Sequence, residues 1–354
     1  MRLAIVGFGA VGRRIPEHLH DRITSLRVYN PTGSADPTLA DPSPYPVSWH
    51  QGPSSVESGR LLPSARRGPT TPALWEPAIS GDDIDVAIVA LPAGSHANVA
   101  RRFLEVGANV ISTSDSLEDI RQLRLLHNMA RDQGRSVLMG AGFAPGLSCV
   151  LAASAAQHFD RPTEIHVAKH GTGGPACAHQ HHRSLKRAGL DYRPDGWLRR
   201  PGGSGRELVW FPAPVEGADC YRAELPDADL LVPAFPTVER VTARMAATRR
   251  DRLTSRLPML TPPHAEGGVG AIRVEVRGLI GQEHHVRVLG AAARPAAAAS
   301  MVAAAASSTL MDFGGSSGCS GLADGVNRRP FLRRAMAYGL QIEVFEGVSA
   351  FDDF

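Results

Sequence analysis

The sequence predicts an α/β chain in which a doubly wound parallel sheet carries an inserted α+β domain built on a mixed sheet. Three observations predict it. The chain opens on a short apolar run, Leu3-Ala4-Ile5-Val6, followed by Gly7, Gly9 and Gly12 at G-x-G-x-x-G spacing and a helix-like stretch from Arg13 to Leu19. Between residues 84 and 139, apolar runs alternate with helical patterns, the rhythm of parallel strands joined by crossover helices. Beyond residue 160 the pattern turns to period two, the mark of a sheet with one buried face.

The opening motif has a physical reading. Gly7 permits a tight turn, Gly9 lets a pyrophosphate approach the backbone, and Gly12 lets helix and strand pack closely. Phe8, Ala10 and Val11 complete the turn, and the helix start offers free N–H groups to the phosphates. This is a Rossmann-type dinucleotide site. The second strand, Leu26–Asn30, ends where a carboxylate would bind the ribose of NAD. Asn30, Pro31 and Thr32 stand there instead, and Arg13 is within reach, so NADP is expected over NAD. Residues 31–80 are irregular, with a weak strand at Val47-Ser48-Trp49 and a helix near Pro72–Ile79.

Strands follow at 84–92, 109–112 and 136–139, with helices at 97–106 and 117–133. Ligands in such sheets bind beyond the C-terminal strand ends. That places Leu91, Pro92, Ala93, His96, Thr113, Ser114, Gly142 and Phe143 along one crevice, with His96 either at the nicotinamide end or serving as a cap. The nucleotide domain is expected to span 1–146 and to be completed by helices within 291–354, with the substrate and dimerisation domain at 147–290. The Ala-rich run 291–308 reads as a helix with Pro295 in its first turn, and Gly314–Gly321 reads as flexible.

The chemistry is expected at Lys169-His170-Gly171-Thr172-Gly173-Gly174-Pro175-Ala176-Cys177, where a strand ends, turns on glycines and enters a helix. Lys169 and Lys186 are the only lysines, and a buried Lys can lose its proton where Arg cannot. Lys169 or His170 is the candidate acid–base group; strand alternation sends them to opposite faces, so at most one is expected at the reacting atoms unless the strand has ended there. Gly173, Gly174, Cys177 and Arg183 are the candidate substrate contacts, with a carboxylate as guest. Cys177 or Cys149, each near a helix start, is alternatively a semialdehyde dehydrogenase nucleophile or a packing residue. No metal is expected: His170, His179, His181 and His182 have no carboxylate or thiolate beside them at ligand spacing. Arg199-Arg200 with Gly202–Gly205 reads as a lid or a solvated turn. The face Arg273, Glu275, Arg277 lines the site, meets a second subunit or faces solvent.

The stretches GFGAVGRR, VALPAGSH, GANVISTSDS and GAGFAPGLSCVLAASAA resemble the saccharopine dehydrogenase/reductase-like proteins. KHGTGGPACAH resembles that family's Gly-Gly-x-Pro loop, and FLRRAMAYGLQIEVFEG its C-terminal end. The resemblance implies an NAD(P)-binding domain, an α+β domain closing over the active site, hydride transfer at a C–N bond, and a homodimer. A non-catalytic NADP(H) sensor is the alternative from another class.

Composition bounds the rest. At 354 residues the chain suits two domains, since one core rarely exceeds ~250–300 residues. A net charge of +3, with basic and acidic residues interspersed, gives no nucleic-acid footprint. No stretch reads as the ~20 apolar residues of a bilayer span, and no leader pattern opens the chain, so a cytoplasmic location is expected.

Overall fold

The computed structural model describes residues 1–31, 44–51, 79, 84–259 and 262–345. The first apolar run forms β1 (Arg2–Val6), whose inner residues are fully buried. The glycine turn leads through a short 3-10 stretch, Gly12–Arg14, into α1 (Ile15–Leu19). Of the expected Arg13–Leu19 stretch, the α-helix covers Ile15–Leu19 and the first two residues belong to the 3-10 turn. Arg22 and Ile23 both donate to the Leu19 carbonyl and close it off. Five residues build little macrodipole, so anion binding at this turn would depend on its backbone N–H groups more than on the helix.

Then come β2 (Ser25–Asn30), β3 (Val47–Gln51), β4 (Val86–Val89), α2 (His96–Glu105) and β5 (Asn109–Ser112). The helix expected over 117–133 is two, α3 (Leu117–Arg124) and α4 (His127–Asp132), before β6 (Ser136–Leu138). Leu125 and Leu126 break it: each donates to the carbonyl three residues back, the tighter 3-10 geometry. The helix expected near Pro72–Ile79 lies almost wholly outside the described residues.

Next are α5 (Leu147–Ala156), β7 (Arg161–His170), α6 (Pro175–Lys186), β8 (Gly189–Arg193), β9 (Gly196–Arg200), β10 (Glu207–Trp210), β11 (Gly217–Arg222) and α7 (Asp227–Ala234). They are followed by β12 (Arg240–Ala246), α8 (Arg249–Thr254), β13 (Gly270–Ile280), β14 (Glu283–Ala293) and α9 (Pro295–Phe313). The described chain closes with β15 (Gly318–Ser320), α10 (Leu322–Gly325), α11 (Arg328–Ala337) and β16 (Glu343–Phe345).

Two sheets result. One is parallel, in the order β15-β6-β5-β4-β1-β2-β3. The other is mixed, in the order β10-β11-β12-β7-β13-β14-β16, with β8 and β9 attached through β12. The chain has the expected α/β architecture. Its central parallel strands, β1 and β4, carry Val, Ile, Leu and Ala and are buried on both faces, as helix-covered strands must be. The order reverses at β1, which lies between β2 and β4. That reversal is where a crevice opens.

Tertiary pairing overrides composition at two places. Gly314–Gly321 reads as flexible, yet Gly318–Ser320 pairs in register with β6 as an edge strand, with the His127 ring packed against Gly318. Arg199 and Arg200 lie in the β8–β9 hairpin rather than in a lid, and the turn after them is pinned by a Gly203 N–H bond to the Arg222 carbonyl. The apolar α9 is long enough to cross a membrane, contrary to the expectation that no stretch is, but most of it is buried inside this fold. It packs against α1 and α11.

Candidate active site

The crevice at the reversal is a cleft of about 410 Å³. One wall comes from the parallel sheet. It comprises Gly7, Phe8, Gly9, Ala10 and Val11 after β1, Asn30 and Pro31 after β2, Leu91, Pro92 and Ala93 after β4, Thr113, Ser114 and Asp115 after β5, and Gly142 and Phe143 after β6. The three glycines of the opening turn have three different surroundings. Gly7 holds a φ of +90°, and a Cβ there would stand 2.5 Å from the Ala90 carbonyl oxygen. A Cβ on Gly12 would stand 2.0 Å from the Gly7 oxygen, so Gly12 lies under the turn rather than in the cleft. A Cβ on Gly9 would meet nothing within 4 Å. Protein packing explains Gly7 and Gly12 and leaves Gly9 open toward the cleft, as a cradle for a dinucleotide requires.

The opposite wall comes from β7, α6 and the start of α9: Lys169, His170, Gly171, Gly173, Cys177, Gln180, His181, Pro295 and Ala296. Lys169 is buried, and its Nζ donates to the Ala144 carbonyl at 3.2 Å and lies 3.9 Å from Asp115 Oδ2. His170 also borders the cleft, as the expectation allows where the strand ends. It is the last residue of β7, and Gly171, at φ +85°, turns the chain there, so both Lys169 and His170 line the cleft. Its Nδ1 is buried without a hydrogen-bond partner among the described residues, and its ring packs 6.0 Å from that of Phe211. Burial lowers the pKa of His170. Burial, then Lys169 and His170, holds His181 well below the ordinary histidine range.

A second cavity, of about 640 Å³, shares His170, Gly171 and His181 with this cleft as lining. It runs toward α8 and is bordered by Arg249, Arg250, His182 and His264 as well as Asp219 and Asp251. Arg249 and Arg250 are exposed and make no ion pair among the described residues.

Several expected contacts lie elsewhere. His96 is fully buried: its Nε2 donates to the Leu91 carbonyl, and its Nδ1 accepts from the Ser112 hydroxyl, both at 2.9 Å. It braces the loop that carries Leu91–Ala93 and does not line the cleft. Arg183 is exposed on the far side of α6 and bonds Gln180, so it cannot hold a substrate in this cleft. Gly174 faces protein, because a Cβ there would stand 2.9 Å from the Ala265 carbonyl. Arg13, expected near Asn30, pairs instead with Glu266, which also holds Arg14 at 2.9 Å and Arg294 at 3.4 Å. Thr32 lies outside the described residues. Arg273, Glu275 and Arg277 form their own ion network beside His166, on the face opposite Lys169.

The thiols do not have the surroundings of nucleophiles. Burial, reinforced by Asp115, pushes Cys177 up to about 12. Cys149 is fully buried, and desolvation raises it further still. Sequence reasoning missed Asp115 and did not place His181 in the cleft. Asp115 directly follows Thr113-Ser114 at a parallel strand's C-terminal end, and that position was the signal for it.

No protein-family model matches the chain, and a search of curated proteins returns no match. Solved structures do match. The apo saccharopine dehydrogenase (L-Glu forming) of Saccharomyces cerevisiae superposes with a TM-score of 0.64 at 13% identity, covering 97% of this chain and 99% of that one. A C. glutamicum DAP dehydrogenase in complex with DAP aligns at TM-score 0.44 and 16% identity, over 95% of this chain and 98% of that one. An engineered D-amino acid dehydrogenase bound to NADP+ aligns at 0.45 and 15%, over 94% and 95%. The last two are too distant in shape to argue from. The first shows that this chain shares the fold of that saccharopine dehydrogenase.

Proposed function

We propose that this protein is an NADP(H)-dependent oxidoreductase that moves hydride at a C–N bond of a carboxylate-bearing amine or imine. The observation that carries this reading is the lining that the two cavities share. Lys169, His170 and His181 line the glycine-turn cleft, and His170, Gly171 and His181 line the second cavity. A cofactor and a substrate held on either side would meet there.

Gly7, Gly9 and Val11 would take the pyrophosphate, and Asn30 and Pro31 the adenosine end. Neither Asn30 nor Pro31 presents a carboxylate to repel a 2′-phosphate, which supports NADP. A bound nicotinamide supplies or accepts hydride. In imine reduction the carbon gains hydride and the nitrogen gains a proton, and Lys169, held by the Ala144 carbonyl, gives that proton. The neutral His170 and His181 add no positive charge beside it. Arg249 and Arg250 at the rim of the second cavity would draw the substrate's carboxylate, the role expected of Arg183. Holding both reactants at one junction supplies orientation, a large share of such catalysis.

The test is a fluorescence titration of the purified protein with NADPH and, separately, NADH, followed by NADPH consumption with amine and keto-acid pairs. Saturable NADPH binding, clearly tighter than NADH, with turnover of at least one pair is expected. Binding of neither nucleotide would overturn the oxidoreductase reading, and tighter NADH binding would overturn the cofactor assignment.

A further inference from the structure

We propose that Asp115, Cys177 and His181 form a site for one divalent transition-metal ion of the zinc type on the wall of the cleft. Cys177 and His181 stand at i and i+4 on α6, one turn apart on one face. Asp115 comes from 62 residues earlier in the chain, just past β5. Ligand atoms of all three lie within 4.8 Å of one another. Cys177 Sγ is 3.4 Å from Asp115 Oδ2, close to the ~3.4–3.6 Å between neighbouring ligand atoms around a tetrahedral zinc.

The donor set selects its ion. A thiolate and a carboxylate balance a dication, and the imidazole adds a neutral nitrogen. Sulfur and nitrogen donors favour zinc and its neighbours over magnesium or calcium, which take oxygen. The His181 ring makes no hydrogen bond among the described residues, whereas His182 on the same helix is tied to the Leu257 carbonyl. All three residues border the cleft, so a fourth coordination position would face it and take water or a substrate heteroatom. Binding releases the Cys177 thiol proton to solvent. Lys169, 3.9 Å from Asp115 Oδ2, competes for that carboxylate and weakens the site.

The experiment uses the full-length protein, stripped with a chelator and titrated with Co²⁺ in the absence of nucleotide. One saturable site with tetrahedral visible bands and a thiolate charge-transfer band is expected, displaced by Zn²⁺. Cys177→Ser should lose the charge-transfer band, and Asp115→Asn should weaken binding about tenfold or more. Lys169→Gln should tighten binding severalfold, and Cys319→Ser, far from the cleft, should leave the titration unchanged. No saturable uptake, a charge-transfer band that survives in Cys177→Ser, or weaker binding in Lys169→Gln would overturn the proposal. The readout involves no nucleotide, so failure here leaves the oxidoreductase reading standing, and NADPH titration tests that reading separately.

Discussion

Two glycine-rich turns, each carrying a strand into a helix, form opposite walls of the same cleft: Gly7–Gly12 after β1 and Gly171–Gly174 after β7. They look alike as sequence and differ in what their glycines meet. In the first, Gly9 opens onto empty space, and the helix that follows has five residues. In the second, Gly171 would press a Cβ to 2.7 Å from Gly270, Gly173 to 3.1 Å from Ala296, and Gly174 to 2.9 Å from Ala265. The helix after it has twelve residues and carries Cys177 and His181 into the cleft. The first turn makes room for a ligand. The second makes room for protein, and in doing so sets the position of Lys169 on one side and α6 on the other. A glycine-rich motif therefore reports close approach without saying what approaches.

If that contrast holds, changes around the second turn should damage chemistry or stability, and changes at the open position of the first should damage binding alone. The largest effect is expected for Lys169→Met. Its kcat should fall by about 10²–10⁴ while NADPH binding stays near wild type, as for loss of an acid–base group. Steady-state kinetics beside the fluorescence titration would check this, and an unchanged kcat would remove Lys169 from the mechanism.

A matched pair of glycine variants comes next. Gly174→Ala adds a side chain at φ +104° against a backbone carbonyl, and should cost on the order of 1–3 kcal/mol of stability in denaturant unfolding. Gly9→Ala has free space, so its stability should be nearly unchanged while its dinucleotide Kd rises about tenfold, or ~1.4 kcal/mol. The reverse pattern would break the comparison.

The smallest effect concerns Asp227, whose Oδ1 accepts from the Ser148 hydroxyl at 2.6 Å while Oδ2 is buried without a partner among the described residues. Burial raises its pKa above the ordinary carboxylate value, outweighing the nearby Lys169. An acid raised in the folded state favours folding fully below its unfolded pKa, and that contribution is lost as pH rises through the folded value. Stability of the wild type should therefore decline as pH rises from about 4. Asp227→Asn should flatten that decline and be more stable than wild type at neutral pH. Thermal unfolding across pH would show it, and parallel curves for the two proteins would refute it.

Much of this was legible in the residues because it rests on local periodicity. The buried runs of β1, β4 and β5, the alternation of β7, β13 and β14, and the first glycine turn all declare themselves within a few positions. Pro175 and Pro295 mark helix starts because proline tolerates the first turn and little beyond it. Contacts set by distant partners were not legible. Arg13 is taken by Glu266, His96 by Leu91 and Ser112, and Gly318–Ser320 becomes a strand only because β6 offers an edge.

The cleft shows the division most plainly. That β1 ends in a turn able to admit a dinucleotide, and that a strand, a glycine turn and a helix follow Thr163, can be read from the residues alone. Hydrophobic period and backbone sterics are properties of neighbouring residues. That Asp115 meets Cys177, Lys169 and His181, and that Arg183 does not, follows from the packed fold. Side chains from separate elements converge through the packing of two sheets, and that packing depends on the whole core rather than on any one stretch.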